Sequence, residues 1–255
     1  MKRSALAFAF VATLAGAAPH QGSILLRRKF TAGAVDRYNM TTSMHMSMSG
    51  APGANGGMNM TNSTSGKIDM KTISVAPGGK SAKIQVRTHD FQMTGAGAGH
   101  APQDATSTMT IDSLGKSTAV EVNGRSGMHG MSFDQMGAAA FPQQPVKVGD
   151  SWTVSAPKNP FLSGGQMKMK LIGQDSFHGK AVWVITSTGT FTMDGSSGAG
   201  MTGTMHLSGK SLVSKADGNT LSSTMDMTMK STMKNPQASK PMDMSMSMHM
   251  TLDHQ

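Results

Sequence analysis

The chain has 255 residues, among them 27 Met, 30 Gly, no Cys and only 5% aromatic residues; 23 Lys and Arg against 14 Asp and Glu give a formal charge of +9. The absence of cysteine removes disulfides, thiolate metal sites and a cysteine nucleophile. With Glu121 as the sole glutamate, a Glu-based catalytic dyad and a helical fold built on Glu/Lys pairs are both disfavoured.

The N-terminus reads as a secretory signal: basic Met1-Lys2-Arg3, an apolar run from Ala5 to Leu14, then Ala15-Gly16-Ala17 as an A-x-A cleavage site. Residues 1–17 are thus expected to be removed, since the run is shorter than the roughly 20 residues needed to span a bilayer. Without Lys2 and Arg3 the charge falls to roughly +7. The expected location is periplasmic or secreted. No later stretch is apolar enough for a transmembrane segment in the mature chain. The remaining cations are scattered and aromatic residues that stack bases are scarce, which argues against nucleic acid as a partner. A weak attraction to anionic envelope surfaces is the use this charge allows.

Past the signal, apolar and polar residues alternate, the period of β-strands. Met44, Met46 and Met48 alternate with His45 and Ser47. Turn signals follow: Pro77-Gly78-Gly79 separates strands over 67–75 and 81–93, and Asn123-Gly124 ends another. Gly50–Gly57 and Thr94–Ala105 read as loops. Ser132–Ala140, with an Ala run, is the one short helix candidate. Trp183, Ile185, Phe191 and Met193 share a face of one strand, and Val182 and Val184 occupy the other, so the start of that strand is expected to be buried on both sides. Asp217-Gly218-Asn219 joins 210–215 to 220–233, in which Met225, Met227, Met229 and Met233 alternate with polar residues. Asn235 to Pro241 then precedes the clearest alternation, from Met242 to Leu252. Each such strand sends Met to one face and polar residues to the other, as a half-buried antiparallel sheet requires.

Sliding the chain by one hundred positions aligns Gly79-Lys80 with Gly179-Lys180, Thr88 with Thr188, and Phe91 and Met93 with Phe191 and Met193. At a slightly shorter offset, Thr108–Ile111 resembles Thr204–Leu207, each followed by Gly-Lys-Ser at Gly115–Ser117 and Gly209–Ser211. Phe30-Thr31-Ala32-Gly33 leads to Tyr38 as Val146-Lys147-Val148-Gly149-Asp150 leads to Trp152. These matches predict an internal duplication. The expected fold is mainly β, an antiparallel curved sheet or barrel-like fold of two related halves with at most one short helix. Residues 18–140 would form the first β repeat and 141–255 the second, joined in one domain because neither half has enough aromatic or branched apolar residues to fold well alone.

Phe141-Pro142 followed by Pro145-Val146-Lys147-Val148-Gly149-Asp150-Ser151-Trp152, with the upstream Phe30-x-x-Gly33, resembles a family of uncharacterised secreted bacterial β-rich proteins carrying a Pro-Val-Lys-Val-Gly-Asp-x-Trp segment. That resemblance implies secretion and a β-rich fold, and no activity. A secreted, wrapped antiparallel sheet also looks like the lipoprotein-carrier domains of bacterial envelopes, in which a curved sheet holds acyl chains. This second likeness is one of fold.

No G-x-S-x-G elbow, H-E-x-x-H motif or P-loop is present, so the chain is read as not an enzyme, with no catalytic residue. The methionines carry the functional signal. Met adapts to irregular neighbours, so Met44, Met46, Met48, Met225, Met227, Met229, Met244, Met246 and Met248 are expected to form a core or a face for a lipid or other apolar ligand or partner. The alternative is a soft-metal site for Cu(I) or Ag(I), because thioether sulfur is a soft ligand and residues at i and i+2 lie side by side. Its candidate ligands are Met44, Met46, Met48, Met244, Met246 and Met248, together with His129 and Met131 in one loop. His45 and His249 would point away from their Met neighbours. Under the favoured reading there is no cofactor. A third reading is a structural or surface-associated protein without a small ligand.

Overall fold

The computed structural model describes residues 22–50, 57–96, 103–123, 140–156, 164–194, 201–233 and 241–255, with the backbone alone for 118–123 and 156. The period-two segments form eleven strands: β1 (Val35–Ser49), β2 (Met58–Val75), β3 (Ser81–Gly95), β4 (Ala105–Asp112), β5 (Ser117–Asn123), β6 (Ser151–Ala156), β7 (Gly164–Phe177), β8 (Lys180–Asp194), β9 (Met201–Ser214), β10 (Thr220–Met233) and β11 (Met242–His254). They make one sheet in the order β5-β4-β3-β2-β1-β11-β10-β9-β8-β7-β6. Every neighbouring pair is antiparallel. Across the sheet the strands follow chain order from β6 to β11, then from β1 to β5. The sheet is curled but open, with β5 and β6 as its edges.

Among the described residues no helix packs on this sheet, yet one face reaches core-like burial. Tyr38, Met40, Ile68, Ile84, Met109, Met225, Met227, Met250 and Leu252 are 1–5% exposed and belong to one cluster drawn from β1 to β4 and β8 to β11. A lone sheet can bury an apolar face only by curling it against itself, which the right-handed twist of long strands permits. The cluster sits at the end of the sheet that holds the β2–β3, β4–β5, β7–β8 and β9–β10 turns, here called the base. The opposite end is called the mouth.

Two segments outside the strands close the base. Residues 22–34 and 140–150 meet where Ile24 and Val146 exchange backbone hydrogen bonds of 2.7 and 2.9 Å. Arg28 N–H donates to Ser113 O at 2.8 Å, Phe141 N–H to Leu114 O at 2.7 Å and Lys29 N–H to Asp217 O at 2.7 Å, so the plug is stitched to the turns on both sides of the opening. The Arg27 guanidinium donates to the carbonyls of Pro142 and Gln143. Leu26, Phe141 and Val146 pack with Leu171, Ile185 and Val213 in a second cluster. Trp152 meets its polar need there, its indole N–H donating to Ala140 O at 2.8 Å.

Several local features occur twice. Gly33 N–H donates to Thr72 O and Thr72 N–H to Ala34 O; in the second half Gly149 N–H donates to Leu171 O and Leu171 N–H to Asp150 O. The register of β2 slips between Thr72 and Ser74, and that of β7 between Leu171 and Gly173. The residue skipped in each bulge, Ile73 or Ile172, is turned outward and 46% exposed. Phe91 covers Gly66 and Phe191 covers Gly165 so closely that a Cβ on either glycine would overlap the ring. The following turns carry Gly79 at φ 69° and Gly179 at φ 75°, left-handed positions that favour glycine.

The Gly-Lys-Ser match does not share this correspondence. Gly115 lies in the β4–β5 turn at φ 81°, whereas Gly209 lies inside β9 opposite Met225. Identical tripeptides are cheap in so biased a composition, and pairing partners decide whether one turns or extends. Thr94 and Gly95, expected in a loop, extend β3. Residues 132–139 of the helix candidate lie outside the described residues, and Ala140 is irregular and buried. Val182 and Val184 are 0% and 8% exposed while Ile185 is 1% exposed, so the start of β8 is buried on both faces as expected.

Candidate ligand-binding site

The pairing register places the methionines of separate strands side by side on the inner face. Met60, Met46, Met246, Met229 and Met205 occupy successive strands β2, β1, β11, β10 and β9, and Phe191 of β8 ends the row. One step toward the base, Met44 pairs with Met248, which pairs with Met227, followed by Leu207. One step toward the mouth the order is Met58, Met48, Met244, Ser231, Gly203 and Met193. Directly opposed residues hold their Cβ atoms about 4.5–5.5 Å apart. Rows of thioethers therefore run across the strands as well as along them.

Burial divides these methionines into two groups. Met225 and Met227 lie in the closed core at 1% and 4% exposure. Met44, Met46, Met48, Met229, Met244, Met246 and Met248 are half-buried. Met246 and Met248 still touch the main cluster, and Met58 at the mouth is 48% exposed. Of the residues expected to form an apolar face, the β1 and β11 sets with Met229 thus line the approach to the core, and Met225 and Met227 lie within it.

A cavity of about 550 Å³ lies at the mouth, its lining including Met48, Met244, Gly203, Ser231 and Lys230. Here the thioether row is interrupted by small residues. Gly203 has no room for a Cβ, which would overlap the Lys230 carbonyl oxygen and Ser231. Ser231 is 6% exposed, and its hydroxyl has no hydrogen-bond partner among the described residues. Nearby Asp243 is engaged, accepting from Thr232 Oγ1 at 2.7 Å. Ser231 and Gly203 were not singled out from the sequence, although each breaks an alternation visibly: Met225-x-Met227-x-Met229-x-Ser231-x-Met233 in β10 and Met201-x-Gly203-x-Met205 in β9.

The histidines near these rows face outward. His45 Nδ1 lies 3.0 Å from Thr61 Oγ1, His206 Nδ1 lies 3.1 Å from Thr190 Oγ1, and His249 Nδ1 lies 2.7 Å from Asp226 Oδ1. Strand alternation puts the backbone between these rings and the sulfurs. His129 and Met131 lie outside the described residues. No group of three or more His, Cys, Asp or Glu is placed to hold a metal among the described residues. The soft-metal alternative thus gains no nitrogen or carboxylate ligand here.

A second cavity of about 660 Å³ lies at the base, lined by Asp36, Lys180, Lys215, Asp217 and His254 among others. Its charges are largely satisfied internally. His254 Nε2 is 3.3 Å from Asp36 Oδ1, and the Lys215 ammonium sits 4.0 Å from the Trp183 ring centroid. Behind it the Tyr38 ring meets His254 edge-on at 5.3 Å. Burial, aided by the negative charge of Asp36, pushes the Tyr38 phenol well above its ordinary range.

No family model matches the chain, and neither does any curated protein. Among solved structures, DynF from the dynemicin biosynthesis pathway of Micromonospora chersina aligns at 9% identity and a TM-score of 0.25, covering 91% of this chain and 86% of its own. A LolA-superfamily protein from Nitrosomonas europaea aligns at 8% identity and 0.19, covering 89% and 86%. A DUF1329 family protein from Desulfovibrio piger aligns at 10% identity and 0.19, covering 85% and 83%. Likenesses this distant carry no argument about what this chain binds, and the functional conclusion rests on its own inner face. No helix among the described residues is long and apolar enough to cross a membrane.

Proposed function

We propose that this chain is a non-catalytic extracytoplasmic binding protein that holds an apolar ligand against the methionine rows at the mouth of its curled sheet. The observation that carries this reading is the half-burial of those rows beside a cavity of about 550 Å³, a volume within the roughly 300–1,000 Å³ of small-molecule sites. A sheet whose sole task was to close a core would have every reason to end where its apolar face ends. Here the thioether face continues past the closed core for three residue pairs, Met44–Met248, Met46–Met246 and Met48–Met244. Flexible thioether side chains fit a guest of variable shape better than branched ones do. The signal-like N-terminus supports an extracytoplasmic location, where acyl chains are abundant. No metal or organic cofactor is part of this reading.

The test uses the full chain purified without detergent. An organic extract examined by mass spectrometry is expected to contain a copurified lipid in stoichiometric amount. The delipidated protein is expected to enhance the fluorescence of N-phenylnaphthylamine, an uncharged apolar reporter, saturably. The absence of both a copurified lipid and saturable reporter binding would sink the proposal.

A further inference from the structure

Ser231 is out of place on its strand. Its alternation partners Met225, Met227 and Met229 are apolar, the residues opposite it are Met244 and Gly203, and its hydroxyl is buried without a partner among the described residues. A buried hydroxyl left unpaired is costly, and native structures rarely keep one without a use. The site is also built to stay small. Gly203 next to it cannot carry a side chain without striking Lys230 and Ser231, so the notch beside the hydroxyl cannot be filled by the ordinary alternation of the strand. The same two residues line the mouth cavity together with Met48 and Met244. On the inner face this hydroxyl therefore stands among thioethers, those of Met229, Met244 and Met48.

We infer that Ser231 is the polar anchor of the bound molecule, donating its hydroxyl hydrogen to the carbonyl oxygen of an acyl group whose hydrocarbon chain lies along the methionine rows. This rests on the binding reading above and adds to it the ligand's chemistry: a single-chain acyl compound in place of a pure hydrocarbon. Among the described residues Ser231 is the buried hydroxyl without a partner in this lining, so a ligand carbonyl placed there meets an unpaired donor, while the polar residues at the rim, Ser47, Asn59 and Asp243 among them, belong to the outward sets of their strands. Both a free fatty acid and an acyl ester supply the required carbonyl.

The experiment measures displacement of N-phenylnaphthylamine from the delipidated full chain by palmitic acid, methyl palmitate and hexadecane, for the wild type and for Ser231→Ala. The wild type is expected to bind both carbonyl compounds more tightly than hexadecane. Ser231→Ala is expected to weaken both by about fivefold or more, the loss of one hydrogen bond, and to leave hexadecane unchanged. Its melting temperature should hold or rise, because the variant removes an unpaired buried hydroxyl. Preference for the acid over the ester identifies a free fatty acid as the source, and the reverse an esterified chain. If the wild type ranks hexadecane with the carbonyl compounds, or Ser231→Ala shifts all three equally, the anchor is overturned while the binding reading stands. If the wild type binds none of them, both fall. The wild-type ranking decides the matter even should the variant fold poorly.

Discussion

The base and the mouth of the sheet use the same residue on the same strands and the same face, with opposite outcomes. On β10, Met225 is 1% exposed, while Met229, four residues nearer the mouth, is half-buried. On β11, Met250 is 3% exposed and Met246 is half-buried. At the base the curl and the plug of 22–34 with 140–150 bring apolar partners against the face, among them Tyr38, Ile68 and Ile84. At the height of Met229 and Met246 one aromatic, Phe191, closes the row at its β8 end, and across β1, β11 and β10 methionine faces methionine. What a side chain does here is set by its height along the strand, and the sequence alternation is blind to height.

The largest expected effect strikes the base through its chemistry. Tyr38 is the only tyrosine, so its titration can be followed without ambiguity. Its folded pKa lies above the unfolded value, so its contribution to stability is fully present below the unfolded pKa of about 10 and is lost as pH rises toward the folded value. Phenolate absorbance should therefore appear together with the loss of far-ultraviolet β signal at strongly alkaline pH. Phenolate formation in a fully folded sheet would show that the base is not closed.

Met225→Ser comes next, with an expected loss of roughly 2–5 kcal/mol in urea unfolding, the scale of large-to-small core changes. Met246→Ser should cost only roughly 1 kcal/mol, because less burial is lost. Equal losses would erase the distinction between the two ends. Between these values lie Gly66→Ala and Gly165→Ala, each of which forces a Cβ into a phenylalanine ring and should cost about 1–3 kcal/mol. Similar values for the two would mark them as equivalent positions of a repeat. The smallest effect is expected from replacing Met244, Met246 and Met248 together with Leu, which approximately conserves volume. Melting temperature and reporter binding should both persist, and Cu(I) titration of the wild type should be weak and non-stoichiometric. A tight stoichiometric copper complex abolished by the Leu variant would instead place a metal on the rows.

Much of the fold could be read locally. Alternation located the strands, and Pro77–Gly79 and Asp217–Asn219 fell at turns, where Gly78, Gly79 and Gly218 take left-handed backbone angles that favour glycine. Three features escaped for physical reasons. The β1–β11 pairing is set by which distant edges remain free once the hairpins form, and no short window of sequence carries that. The bulges at Ile73 and Ile172 replace strict alternation with an outward apolar residue, which sequence reads as noise. The split between closed and half-open methionines depends on how tightly the sheet curls. The notch at Ser231 was different, since the break in alternation was visible and only its burial was not.

The pairing of β1 with β11 also bears on how the molecule comes into being. Tyr38 is opposite His254, so the middle of the sheet joins positions separated by most of the chain. During synthesis, β1 has β2 on one side within a few dozen residues, but its other side stays bare until β11 emerges. Such a long wait slows folding and leaves a methionine-studded edge open to other chains meanwhile. Loss of β11 alone would therefore do more than shorten the sheet. It would part it into two separate sheets, each with a new unprotected edge, and aggregation would be the expected fate.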